Sequence, residues 1–569
     1  MTARAKKPSF AELYTPKLVT VLREGYNATG LKADVMAGLT VAIVALPLSM
    51  AIAIASGVGP ERGLYAAIVG GFVVSMLGGS RFQIGGPAGA FIVLVAATVA
   101  QHGLEGLLIA TFLSGLMLMA VGWLGLGTFI KFIPYPVTVG FTAGIGIVIL
   151  ASQLKDLAGL TLAGPEPGAL LPKLEALAQA MPTASPAAVA LALLAIALIL
   201  GCRKWRPSWP GYLIAALVTA TLAALLHLPV ETIGSKFGGI PRGLPAPALP
   251  DLSPARILAL LPAAVSFTLL GAIESLLSAV VADSMSGRRH RSNCELVAQG
   301  AANCASALFG GMCVTGTIAR TATNVRAGAR GPVSGMLHAL FILAFMLVAA
   351  PLASYIPLAA LAGVLATVAW NMVERDHIAT LIRTSRGDAL VLVVTFGLVI
   401  FHDLALGILV GFSLGTLIFL NRMAQSVEVE TGERMIEVDR PDSELPRSPY
   451  EGGRPADPDI VLCRISGAFF FGAASAVSAM LDRLDEHTRA YVINMADVGM
   501  LDSTGAATIE AFARKVRQRG AELYIAGARP AVRRMLLTHN VRPPHVHYRA
   551  NMSEAIEAAR METAAPVSA

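Results

Sequence analysis

The hydrophobic pattern along the chain is set by long charge-free runs rather than by alternation. No Asp, Glu, Lys or Arg occurs within residues 35–60, 63–80, 82–104, 106–130 or 132–154. A helix needs about 20 predominantly apolar residues to cross the hydrocarbon core, so these runs predict five successive spans. Further apolar runs near 185–202, 209–227, 256–282, 294–312, 331–350, 355–373, 388–402 and 404–421, with a short segment near 317–329, bring the count to about fourteen. The character changes after Arg422. Residues 423–458 are polar and Pro-rich and read as a linker. Beyond them, 459–464 alternates like a strand, 473–484 has helical spacing and 490–495 is an apolar strand. Asp502-Ser503-Thr504-Gly505 opens a helix running to about Arg519, followed by a strand at 522–526 and a basic helix. Alternating strand and helix predict a small α/β domain.

Composition agrees with the spans. The 569 residues are 55% hydrophobic and 14% charged, with a mean hydropathy of +0.65, whereas soluble chains carry roughly 25% charge. The net charge of +7 raises nucleic acid as a partner, but the basic residues fall in loops. With the N-terminus inside, the exits of even-numbered spans carry Arg81, Lys131, Arg203-Lys204-Trp205-Arg206, Arg288-Arg289-His290-Arg291, Arg326 with Arg330, Arg383 with Arg386, and Arg422. That is the positive-inside pattern. It predicts cytoplasmic N- and C-termini in a bacterial inner (plasma) membrane and removes the nucleic-acid reading. The outward loops, near 156–184 and 228–254, are Pro-rich with mixed charge. Residues 1–30 hold Arg4, Lys6, Lys7, Lys17 and Arg23 without a cleavable apolar segment, and read as a cytoplasmic extension. Cys202, Cys294, Cys304, Cys313 and Cys463 lack CxxC spacing and imply neither a disulfide framework nor a zinc site. No metal-spaced cluster, nucleophile elbow or phosphate-binding loop supports an enzyme, a cofactor or an ATP-driven pump.

Two spans are defective. Gly85-Gly86-Pro87 interrupts the third, leaving a regular helix only from about Ala88 to Ala100, and Cys313-Val314-Thr315-Gly316-Thr317 precedes a short tenth helix. A weak echo, Ser75-Met76-Leu77-Gly78-Gly79 and Ser306-Ala307-Leu308-Phe309-Gly310-Gly311, stands before each. Paired interrupted spans in corresponding halves point to an inverted-repeat transporter. Half-helices starting inside the membrane aim unpaired N–H groups and positive dipole ends at a ligand, which favours an anion. Arg320, in the first turn of the second, adds a full charge. In the competing reading Gly-Gly-Pro kinks a packed helix and Arg320 snorkels to the interface; the cost of intramembrane charge weighs against it. Glu274 stands alone in the eighth apolar run, with Ser278 one turn later. Burial disfavours its charged form, so it is expected to carry a proton, with sodium binding or a static Arg320 pair as alternatives. Pro47 is expected to interrupt the first span. His338 and His402 read as satisfied interior histidines.

These residues, together with Ala45-Leu46-Pro47-Leu48-Ser49-Met50-Ala51, the Gly86-Pro87 entry, Gly271-Ala272-Ile273-Glu274-Ser275-Leu276-Leu277 and Ala319-Arg320, resemble the SulP anion transporters. The tail, through Asp502-Ser503-Thr504-Gly505, resembles their STAS domain. The stretches 271–277 and 319–328 suggest the bacterial C4-dicarboxylic acid transporter subgroup (DauA-type).

The resemblance implies a polytopic α-helical membrane protein built as a 7+7 inverted repeat with UraA-like core and gate domains, plus a small cytoplasmic α/β STAS domain. Its divisions are 1–30, a transport domain 31–422 (repeats approximately 31–228 and 255–422), a linker 423–458 and the STAS domain 459–560. It implies a substrate site of Ser49, Ile52, Ala88, Gly89, Ala90, Ile318, Ala319 and Arg320, with Glu274 and Ser278 for ion coupling, and a homodimer. Leu48 and Ala319 depart from many animal members, which have Gln and Ser there. Proton-coupled uptake of succinate, fumarate or aspartate by alternating access is the leading expectation. Sulfate or bicarbonate transport coupled to protons or sodium is the near alternative, and a membrane-anchored STAS signalling module the distant one. Asp502 and Ser503 are candidate regulatory residues for a cytoplasmic partner, although capping of the following helix by Ser503 or Thr504 is the simpler account.

Overall fold

The computed structural model describes residues 10–128, 133–164, 166–206, 209–402, 404–431, 459–481 and 488–563. Lys131 and most of the expected linker lie outside them. The chain divides into two units, Met1–Gly415 and Thr416–Ala569.

The helices of the first half are Ala28–Ala55, the composite Pro60–Leu77 with a π-turn at Ala66–Gly70, Ile92–Trp123, Tyr135–Ala158, Pro186–Trp205 and Gly211–Leu225. Ile92–Trp123 is two crossings in one, because Gly103 takes φ 67° and turns the chain back. Only glycine visits that region without strain. The second half supplies Pro254–Ser286, Ser292–Leu308, Ile318–Arg326, Val333–Ala353, Leu358–Met372, Arg386–Phe401 and Leu404–Gln425. Each half therefore makes seven passes, matching the charge-free runs. Among the described residues, seven helices of at least 18 residues, the bent Gly89–Trp123 among them, are long and apolar enough to cross a membrane. The others are short, broken or bent.

Several expectations need correction. Pro47 does not interrupt the first span: the helix runs unbroken from Ala28 to Ala55 with the proline inside it, since one missing i→i−4 bond is absorbed in a long packed helix. The first thirty residues are more than an extension. Short helices at Phe10–Tyr14 and Lys17–Arg23 tie down to the spans, with the Tyr14 hydroxyl donating to Gly122 O and Lys17 N to Gly78 O. The outward loops hold helices at Leu170–Ala180 and Ile233–Phe237. His402 is exposed at the end of its helix.

Spans one to four pack with eight to eleven, and five to seven with twelve to fourteen. Small residues set the closest crossings, as expected where no hydrophobic driving force acts between helices in lipid. A Cβ on Gly300 would lie 2.5 Å from Gly115 O, and one on Gly146 would lie 2.8 Å from Ala369 O.

In the second unit, Ile460–Phe469, Ala490–Asn494, Glu522–Ala526 and Val546–Arg549 pair in parallel, with Val498–Leu501 beside the end of the first. Both sheet faces are covered. Ile465, Ile493 and Ile525 pack under Phe512 and Leu536, while Val492 and Tyr524 face Ala555 and Ala559 of the last helix. Period-two alternation between two buried faces explains why these strands read as continuous apolar runs. The expected linker begins too early, because Leu404–Gln425 extends into it and Glu428–Thr431 forms an antiparallel edge strand on Ile460–Phe469.

The tight crossing generates a prediction. Gly300→Val should lower the thermal midpoint, at a cost of about 1–3 kcal/mol or more for an overpacked contact. Gly397→Ala, with nothing within 4 Å of its Cβ, should leave it unchanged in the same melting assay.

Candidate functional site

The two interrupted spans meet. Gly85–Gly86 and Thr315–Gly316 form a two-residue antiparallel ladder, Gly85 opposite Gly316 and Gly86 opposite Thr315. After it the chain turns into a 3₁₀ turn at Gly89–Phe91 leading to Ile92–Trp123, and into Ile318–Arg326 on the other side. The regular third helix thus starts a turn later than expected.

The two extended segments are held by polar side chains from the eighth, ninth and tenth spans taken together. Asn303 clamps the backbone of one residue, accepting from Val314 N at 2.9 Å and donating to Val314 O at 2.8 Å. Thr321 Oγ1 accepts from Ile84 N, Asn324 Nδ2 donates to Phe82 O, and Thr317 N donates to Ile84 O. Gln83 Nε2 donates to Ser275 Oγ at 2.9 Å, and Thr315 Oγ1 to Gly271 O. Backbone freed by breaking a helix in a membrane must be satisfied inside the protein, and these residues satisfy it. Sequence reading missed Gln83, Asn303, Thr321 and Asn324. Their signal was a buried-type periodicity of amides and hydroxyls inside apolar runs.

Arg320 does not reach the interface. It is 1% exposed, and its Nη2 donates to Ser49 Oγ at 3.1 Å and Pro87 O at 3.3 Å, while Nε and Nη1 have no partner among the described residues. A Cβ on Gly86 would meet Nη1 at 2.2 Å, so glycine is needed for the guanidinium to lie where it does. The structure therefore brings Ser49, the Pro87–Ala88 entry and Arg320 together. Ile52 lies buried one turn beyond Ser49, and Ala88 and Ala90 are buried in the third-span entry. Gly89 faces Ile149 of the fifth span and Met372 of the twelfth. The first-turn amides of Gly89–Phe91 and Ile318–Arg326 have no earlier residue in their own helix to bond to. Two helix N-termini and an unpaired guanidinium favour a negatively charged occupant.

Glu274 is buried, and among the described residues it makes neither an ion pair nor a hydrogen bond. The static Glu274–Arg320 pair is therefore absent. Ser278 is committed to Thr321, donating to its Oγ1 at 3.0 Å. His338 is not the satisfied histidine expected: it is fully buried with both ring nitrogens unpartnered among the described residues.

A cavity of about 890 Å³ separates the two groups of helices. Thr40, Ile43, Thr323 and Arg326 line one wall, and Leu150, Arg203, Tyr212 and Trp370 the other. Thr323 and Arg326 follow exposed Ala319 at i+4 and i+7 on one helix face, and Ile318 is half-buried beside it. The lining thus leads along the tenth helix toward its first turn.

In the second unit, Asp502 caps Ser503–Gln518, accepting from Gly505 N at 2.8 Å and Phe471 N at 3.0 Å. The cap is Asp502 and neither Ser503 nor Thr504, both of which are exposed. A carboxylate accepts more strongly than a hydroxyl from N-terminal amides.

Comparison with known proteins adds the following. Residues 31–395 match the sulfate permease family and residues 454–543 the STAS domain. The chain is 38% identical to the "Putative sulfate transporter YvdB" of Bacillus subtilis (strain 168), over 92% of this chain and 97% of that one. It is 30% identical to the bicarbonate transporter BicA of Picosynechococcus sp., over 89% and 90%. In fold it is similar to the murine Solute Carrier 26 family member A9 anion transporter in the inward-facing state, at TM-score 0.83 and 18% identity, covering 98% of this chain and 96% of that one.

Arg320 is a buried charge with no carboxylate partner among the described residues. Taking a charge out of water without a partner costs free energy that an apolar side chain of similar volume does not. Arg320→Met should accordingly melt higher than the wild type in low-salt detergent, and a lower midpoint would make Arg320 a structural tie instead.

Proposed function

Since the chain belongs to the sulfate permease family, and is a multi-pass membrane anion transporter rather than an enzyme, we propose that it takes up an inorganic anion, sulfate first, by secondary active transport. The carrying observation is Arg320, a buried guanidinium with two unused donors beside two half-helix N-termini. A compact oxyanion offers acceptors in several directions to such a set. The relatives are named for sulfate and bicarbonate, and the C4-dicarboxylate reading has no support among them.

In this proposal the anion is held by Arg320 and by the first-turn amides of Gly89, Ala90, Ile318 and Ala319, with Ser49, Ile52 and Ala88 shaping the pocket. Spans one to four and eight to eleven carry it as a core against the remaining helices. The cavity lined by Arg203 and Arg326 is the route to the cytoplasm, and its two cations raise the local anion concentration. Glu274, unpaired and buried, is the coupling group: its proton offsets part of the anion's charge during the crossing. Ser278, already bonded to Thr321, supports the tenth helix. The positive loops argue for a plasma-membrane location with both termini inside. A homodimer and a STAS-bound cytoplasmic partner near Ser503 belong to the same proposal.

Labelled uptake into proteoliposomes tests it. Sulfate should accumulate under an inward proton gradient, compete with bicarbonate and ignore equimolar succinate. Competition by succinate alone would restore the dicarboxylate reading. Glu274→Gln should lose the response to the gradient while retaining sulfate exchange; a full response in that variant would remove Glu274 from coupling.

A further inference from the structure

We infer that a second anion site, for a phosphate group, lies at the loop ends of the core helices, separate from the Arg320 site. Three segments converge there around a cavity of about 350 Å³: Arg81 and Phe82 after the second span, Ser286 and Arg288 after the eighth, and Val325, Gly328, Ala329 and Arg330 after the tenth. Three arginines thus line one small space.

Glu24 already offsets Arg81, while the other nearby carboxylates are committed elsewhere. Glu24 bonds Arg81, which holds its carboxyl below the ordinary range. Asp283 accepts from His290 N at 3.0 Å and lies 2.7 Å from His290 Nδ1. Asp34 accepts from the Tyr26 hydroxyl and from the backbone N–H groups of Arg330 and Gly331. Among the described residues Arg288 and Arg330 have no carboxylate within salt-bridge distance, and they feel Glu24 and Asp34 only at longer range.

A positive-inside loop needs positive charge, but it does not need that charge gathered around a cavity. Planar guanidinium forks match phosphate oxygens two at a time, and basic pockets between helices at the inner face suit anionic headgroups. The same chemistry accepts inorganic phosphate. A bound group would bridge the start of the first extended segment and the end of the tenth helix, already joined by Asn324 Nδ2 and Phe82 O at 2.9 Å.

The test uses full-length protein in detergent, with Arg288→Gln/Arg330→Gln against the control Arg289→Gln, a neighbour outside the cavity. One arm measures retention of phosphatidylglycerol against phosphatidylcholine by native mass spectrometry. The other measures the shift in melting temperature on adding inorganic phosphate. The double variant should bind about tenfold more weakly than the control in at least one arm. Loss in the first arm identifies a lipid headgroup, and loss in the second a free phosphate. Should the double variant fail to fold, Arg288→Lys/Arg330→Lys keeps the loop charge, and it should show a smaller loss in the same arm. Equal behaviour of the folded variant and control in both arms overturns the site.

Discussion

A helix broken inside a bilayer leaves backbone donors and acceptors that no water can reach, and the membrane unit is arranged around two such breaks. The breaks answer each other, Gly85 opposite Gly316 and Gly86 opposite Thr315. What the short ladder leaves open is taken by Asn303, Thr321 and Asn324 of the ninth and tenth spans, while Ser275 of the eighth holds the Gln83 side chain. This ties four spans into one block. Two of the donor nitrogens that stay without a partner among the described residues, Nε and Nη1 of Arg320, lie beside the half-helix starts.

That placement links fold to transport. A guanidinium held away from water gains most from a negative partner, because low surrounding polarity strengthens the attraction. The same burial makes it costly when empty, which favours a site that binds and releases rather than one that stores. Arg320 reaches Ser49 on the first span and Pro87 at the third-span entry, so an anion beside it would meet groups from the first, third and tenth spans. The other helices present Ile149 and Met372 to Gly89, an apolar surface that would not compete for an anion held as proposed. A carrier needs this division between a wall that binds and a wall that slides.

Much of this was legible in the sequence, for physical reasons. Charge-free runs must cross the membrane, so the passes and the two defective spans could be read directly. Arg320 and Glu274 stood out because charge is rare in such runs. The polar clamp did not stand out: Asn303 and Thr321 are common residue types, and only the ladder they flank gives them a role. Pro47 misled because a proline is visible in sequence while the packing that absorbs it is not. The Asp502 cap was passed over for its hydroxyl neighbours, although Asp is as good a cap as Ser. In the second unit, Val498–Leu501 and Val546–Arg549 are too short to declare themselves without their partners.

The central claim is that an anion sits between Arg320 and the two half-helix starts. Anomalous diffraction from crystals grown with selenate, a sulfate analogue carrying a strong scatterer, tests it most directly. The account predicts a peak within hydrogen-bonding distance of Arg320 Nε or Nη1 and the first-turn amides of Gly89–Phe91 and Ile318–Arg326, lost in Arg320→Met. A fully occupied selenate elsewhere in the membrane unit, with none beside Arg320, would contradict it.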